Sequence, residues 1–203
     1  MAASAQATAE IERSAAKIGA INTRMTVILH CNARYAELYQ FRAQLHHLPT
    51  GSKDAIDHKA KMVDAYFRQY WGLKSDQIDY WIANFVDSET LSSWLLSTVD
   101  ALADHSEVEG ESYRESWERV APEHRHVNQT LAKIVDHIMS NIAKRDAPLM
   151  RFAKLYKLLC EAEKSVEGIR GQLASNEMTF ETLLTTYKSD TRNAIESLQF
   201  GHR

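Results

Sequence analysis

The sequence predicts an all-α protein: an irregular helical bundle of about six to eight helices, with a long N-terminal helix and a C-terminal antiparallel helical hairpin. Three observations predict it. Glycine (7) and proline (3) are scarce in 203 residues and act as punctuation between apolar segments. Apolar residues recur in steps of three and four. Nothing alternates with period two for long enough to make a strand. The length and the 44% hydrophobic content suit one helical domain over residues 1–203, able to bury a core without disulfide or metal staples.

The first helix carries Ile11, Ala15, Ile18, Asn22, Met25, Leu29, Asn32, Ala36 and Tyr39 in alternating steps of four and three, the heptad spacing of a packed seam. It should end before Pro49-Thr50-Gly51. Unbroken from Ala5 to His46 it would be about 60 Å long, whereas a compact domain of this size is roughly 43 Å across. Either the helix breaks near Gly19 or segment 1–20 projects. A second helix is expected from Lys53 to Leu73, with Ile56, Ala60, Val63, Phe67 and Tyr70 on one face. Ser75 can cap a short third helix carrying Ile78, Trp81, Ile82 and Phe85. Asp87 or Ser88 can cap a fourth, with Leu91, Trp94, Leu95 and Leu102 inward.

The pattern lapses from His105 to Glu111, and Gly110 fits a loop; a short helical turn then carries Tyr113 and Trp117. Pro122 suits the first position of a further helix, where its missing N–H costs nothing. That helix would pack Val127, Leu131, Ile134, Ile138 and Ile142. After Pro148 comes the cleanest seam: Phe152, Leu155, Leu159, Ala162, Val166, Ile169 and Leu173. A last helix over Phe180, Leu184, Tyr187, Thr191, Ala194 and Leu198 would complete the hairpin.

Charge and aromatic residues are unevenly spread. Between Asp76 and Glu118 stand eleven acids and one base, Arg114, a net of −10; the whole chain is −3, so the remainder is +7. The two parts either complement one another within the fold or leave an acidic face for a basic partner. Ten of the eighteen aromatics, including all four tryptophans, lie between Tyr66 and Trp117. They form either an aromatic core or a pocket for a flat ligand.

The stretch from Tyr66 through Phe67, Arg68, Gln69, Tyr70 and Trp71 to Gln77 and Trp81, with Trp94 on the next helix, resembles a pattern of uncharacterised bacterial helical proteins. The resemblance covers about residues 60–100, and it implies a helical fold and no particular chemistry. It singles out Arg68 and Gln77, and the aromatic-pocket reading adds Trp71, Trp81 and Trp94, as candidate ligand- or partner-binding residues; otherwise Arg68 and Gln77 tie helices together.

Phosphate-binding glycine loops, the serine-hydrolase elbow, H-E-x-x-H and C-x-x-C are all absent from the sequence. Glu123 and His126 give a single Glu-x-x-His where a di-iron bundle needs two. No catalytic residue, metal ligand or cofactor is therefore assigned. No stretch has the apolar length of a membrane span, and the first thirty residues lack a signal-like apolar core. Cys31 and Cys160 suit free thiols in a reducing cytoplasm. No segment joins a recognition-helix spacing to basic charge, so no nucleic acid is expected. What remains is a soluble helical protein that binds another protein or, as a homo-oligomer, itself. Ile18, Asn22, Met25, Leu29 and Asn32 are the candidate self-association residues, since asparagine at seam positions fixes register and oligomer state. A small-molecule-binding or sensory bundle with an aromatic pocket is the alternative reading, and a metal-dependent helical enzyme the third.

Overall fold

The computed structural model describes residues 2–142 and 146–174, with side chains over 10–142 and 146–163. The protein is all-α, with six helices among the described residues. They are α1 (Ala2–His46), α2 (Lys53–Ile82), α3 (Ser88–Ala103), α4 (Tyr113–Val127), α5 (Gln129–Asn141) and α6 (Pro148–Ala174). Helix α2 is central: α1, α3, α4 and α5 all pack on it, and α6 lies along α3. The expected last helix, and with it the C-terminal hairpin, lies outside the described residues, as do the side chains of Val166, Ile169 and Leu173.

Helix α1 does not break at Gly19, where an added Cβ would meet nothing. Its 45 residues span about 67 Å, longer than a compact body of this size. Residues 10–26 are exposed throughout, and the packed part begins at Val27. The face that packs is not the predicted seam. Val27, Cys31, Leu38 and Leu45 are buried, flanked by Ile28, Phe41 and Leu48.

Helix α2 begins at Ser52, whose hydroxyl accepts from Ala55 N–H. It runs through Gly72 and Ser75 without the expected break, because its buried face continues. Tyr66, Phe67, Tyr70, Trp71, Leu73, Ile78, Trp81 and Ile82 follow one another at helical spacing into the core. The helix ends when Asn84 turns left-handed (φ 62°), with Phe85 N–H on Tyr80 O and Asn84 N–H on Trp81 O. That is a Schellman closure, and Phe85 packs on Tyr80 as such closures favour. Helix α3 is capped by Asp87, which accepts from Thr90 N–H. Leu91, Leu95 and Leu102 point inward as expected, while Trp94 is only half-buried.

The segment expected as a loop contains a minimal hairpin, β1 (Glu107–Val108) and β2 (Glu111–Ser112), paired antiparallel. Its two turn residues, Glu109 and Gly110, both have positive φ, the requirement of a tight turn matched to strand twist. Ser112 then starts α4 through a reciprocal capping box with Glu115. Pro122 therefore lies inside α4 instead of opening a helix. The break comes six residues later, at Asn128, and Val127 is left exposed rather than packed. Leu131, Ile134, Ile138 and Ile142 are buried as expected, as are Leu155, Leu159 and Ala162 of α6, with Phe152 half-buried.

Asn128 is wholly buried. Its side-chain oxygen accepts from Leu131 N–H at 3.0 Å, while its amide nitrogen donates to Ser75 Oγ at 2.7 Å and Asp79 Oδ1 at 3.2 Å. It thus caps α5 and ties it to α2. Asn128→Ala removes a cap and strands buried partners, so unfolding in urea should show a loss of about 2–3 kcal/mol. A loss below about 0.5 kcal/mol would mean that packing alone sets the start of α5.

Candidate interaction surface on the first helix

At about 100° per residue, the buried positions of α1 (Val27, Cys31, Leu38, Leu45) fall on one side of the helix. The predicted seam falls on the opposite side. It is open: Ile11 is 70% exposed, Ile18 60%, Met25 51%, Leu29 62% and Tyr39 69%. Ala15, Asn22, Asn32 and Ala36 lie exposed between them, and Ile21 and Tyr35 widen the stripe on one edge. Isolated exposed apolar residues are ordinary, but seven on one helix, five of them along one seam, are not.

Heptad positions place Ile11, Ile18, Met25, Asn32 and Tyr39 in one core row and Ala15, Asn22, Leu29 and Ala36 in the other. The flanking rows are Gly19, Thr26, Ala33 and Gln40 on one edge, Ser14, Ile21, Ile28 and Tyr35 on the other. No residue in these four rows from Ser14 to Gln40 is charged. The stripe also carries a notch over Ala36, walled by Asn32, Tyr35, Tyr39 and Gln40. The depression is shallow, and Asn32, Tyr35, Ala36 and Tyr39 around it stand at the i, i+3, i+4, i+7 spacing of the four residues that receive a side chain in knobs-into-holes packing.

Four basic residues of α1, Arg24, Arg34, Arg42 and His46, meet the acidic segment. Arg24 pairs with Asp87 and Arg34 with Asp76; Arg42 donates to Glu107 O at 3.2 Å, and His46 Nδ1 lies 3.2 Å from Glu109. Lys59 also holds Glu109, Arg119 holds Glu111 at 2.7 Å, and the buried guanidinium of Arg151 bridges Asp100 and Asp104 at 2.8 and 2.9 Å. Much of the −10 segment is thus complemented within the fold, as one of the two charge readings expected.

The aromatic candidates lie elsewhere. Trp71 and Trp81 are fully enclosed, their indole N–H groups donating to Ser116 Oγ (3.1 Å) and Ser88 Oγ (3.0 Å). Neither presents a face to solvent. Arg68 is exposed and joins α2 to α4, donating to Asp64 at 3.0 Å and to both oxygens of Glu123 at 3.1 and 2.8 Å. Gln77 is buried and accepts from Lys74 Nζ at 3.2 Å. Trp94 is half-buried, and its backbone carbonyl accepts from Lys74 Nζ at 2.9 Å.

Sequence reasoning missed Lys74. It is 1% exposed and lies 5.3 Å from the Tyr70 ring and 5.6 Å from the Tyr35 ring, and desolvation pushes its pKa down to about 7. Nothing in the local sequence distinguishes it from a surface lysine. Glu123 is engaged by Arg68, and His124 stacks on Trp117, where burial lowers its pKa. Among the described residues no three His, Cys, Asp or Glu side chains converge as a metal site would require, and no helix is long and apolar enough to cross a membrane.

No family model, curated protein or solved structure matches this chain.

Proposed function

We propose that the protein is a helical protein–protein interaction protein that self-associates through the open stripe of α1. The observation that carries the reading is the position of that stripe: apolar, free of charge across four heptad rows, and opposite the face by which α1 holds its own body. Seven partly exposed apolar side chains, at roughly 1 kcal/mol each for the area still open, give about 7 kcal/mol per copy. Doubled across a symmetric pair, this is comparable with the roughly 4–15 kcal/mol that association costs in lost freedom. The two free thiols, Cys31 and Cys160, fit a cytoplasmic setting.

The test is Met25→Glu with Leu29→Glu. Both side chains are more than half exposed, so circular dichroism should be unchanged. Light scattering should give a multiple of 23.1 kDa for the wild type and 23.1 kDa for the variant, with association weakened at least about 100-fold. A wild type that is monomeric at every concentration, or a variant with unchanged molar mass, would overturn the reading.

A further inference from the structure

We infer that the stripe is occupied by α1 of a second copy laid antiparallel, about a two-fold axis passing midway between Met25 and Leu29. The inference rests on the reading of α1 as a self-association surface and specifies the geometry of the pair. In this register each core layer has a matched partner. Met25 meets the partner's Leu29, Asn22 meets the partner's Asn32, and Ile18 meets the partner's Ala36. Ala15 meets the partner's Tyr39, and Ile11 meets the partner's Ala43. In the three outer layers a large side chain faces an alanine, the condition for filled layers. The two exposed asparagines face each other, so neither amide is buried against an apolar side chain. On the edge away from the body, Thr26 meets its own copy near the axis and Gly19 meets the partner's Ala33.

Two features of the monomer point the same way. The notch over Ala36, between Asn32, Tyr35 and Tyr39, is where the partner's Ile18 would insert. The exposed stripe positions of α1 before Val27 would lie on the partner's stripe from Leu29 to Ala43. Because the stripe lies opposite the packed face, the two bodies sit on the outer sides of the helix pair.

Other registers fit less well. A parallel pairing in register also matches asparagine with asparagine. However, it sets Ala15 and Ala36 against their own copies, leaving the notch empty, and crowds Tyr39 against Tyr39. An antiparallel pairing shifted by one heptad puts Asn22 against Met25 or Tyr39 and leaves its amide without a partner. The chosen pairing is isologous and closed, since each copy offers the same patch to the other.

The test uses the full chain carrying Ile18→Cys, Ala36→Cys and Cys160→Ser, equilibrated in a glutathione redox buffer, with disulfides mapped by mass spectrometry. Residues 18 and 36 are exposed and lie about 27 Å apart along one helix, so an 18–36 disulfide can form only between copies. The expected product is a dimer linked 18–36. Links of 18–18 and 36–36 would overturn the antiparallel geometry while leaving self-association in place. A wild type with no dimer in solution, and no inter-chain link in the variant, would overturn both. A spin label on Ser14→Cys gives an independent reading. The antiparallel pair predicts a separation of about 40 Å, from thirteen residues on each side of the axis at 1.5 Å per residue. A separation of one interhelical spacing, roughly 10 Å, would sink it.

Discussion

Trp71→Ala should be the most damaging single truncation in the core, lowering unfolding free energy by about 3–5 kcal/mol. The indole is completely enclosed, 4.8 Å from the Trp117 ring and 5.1 Å from the Tyr70 ring, and it joins α2 to α4 through Ser116. Truncation leaves a cavity bounded by other large rings, which relax poorly, and removes the N–H donor to Ser116. Against a total stability of about 5–15 kcal/mol this is a large fraction. Urea unfolding of the full chain checks it, with Trp94→Ala alongside. Trp94 is half-buried, so its truncation should cost less than half as much. Equal losses at the two positions would show that the aromatic cluster around Trp71 is not the centre of the fold.

Lys74→Met should raise stability at neutral and acid pH, and the gain should shrink as the pH rises. Burial lowers the folded pKa of Lys74 to about 7, whereas the unfolded chain keeps the ordinary lysine value of 10.5. Between these values the unfolded state binds more protons, so wild-type stability climbs with pH by up to about 1.4 kcal/mol per unit. The penalty of the buried amine is full below the folded pKa and gone above the unfolded one. Its upper bound is roughly 5 kcal/mol. The bonds from Nζ to Gln77 and the Trp94 carbonyl offset part of it. Urea midpoints of the two proteins at about pH 6 and about pH 10 decide the matter, because methionine does not titrate. A difference that stays constant with pH would mean that Lys74 does not change its protonation on folding.

The fold class was legible because period 3.6 persists wherever a helix meets the core. Leu91, Leu95, Leu131, Ile134, Ile138, Leu155 and Leu159 stand at that spacing, and all are buried. Helix ends were less legible, because local and tertiary signals compete there. Ser75 reads as a cap, yet its hydroxyl serves Asn128, 53 residues away, and the buried face of α2 carries the helix past it. Pro122 reads as a start, but the capping box at Ser112 had already begun α4. The candidate stripe was fully legible as a heptad row from Ile11 to Tyr39. Which face of α1 packs at home was not, since Val27, Cys31, Leu38 and Leu45 form a second and shorter row.

By itself the sequence determined a helical chain, an apolar stripe on its first helix and a charge imbalance between segments. These are properties of spacing and composition, which neighbours along one chain suffice to express. Only the tertiary structure decided that the stripe faces outward, that arginines of α1 and α6 neutralise much of the acidic segment, and that Lys74 lies inside an aromatic core. Those outcomes depend on which of two apolar faces meets a partner tens of residues distant. That choice is made by complementary shape and charge across the fold, and no local run of residues encodes it.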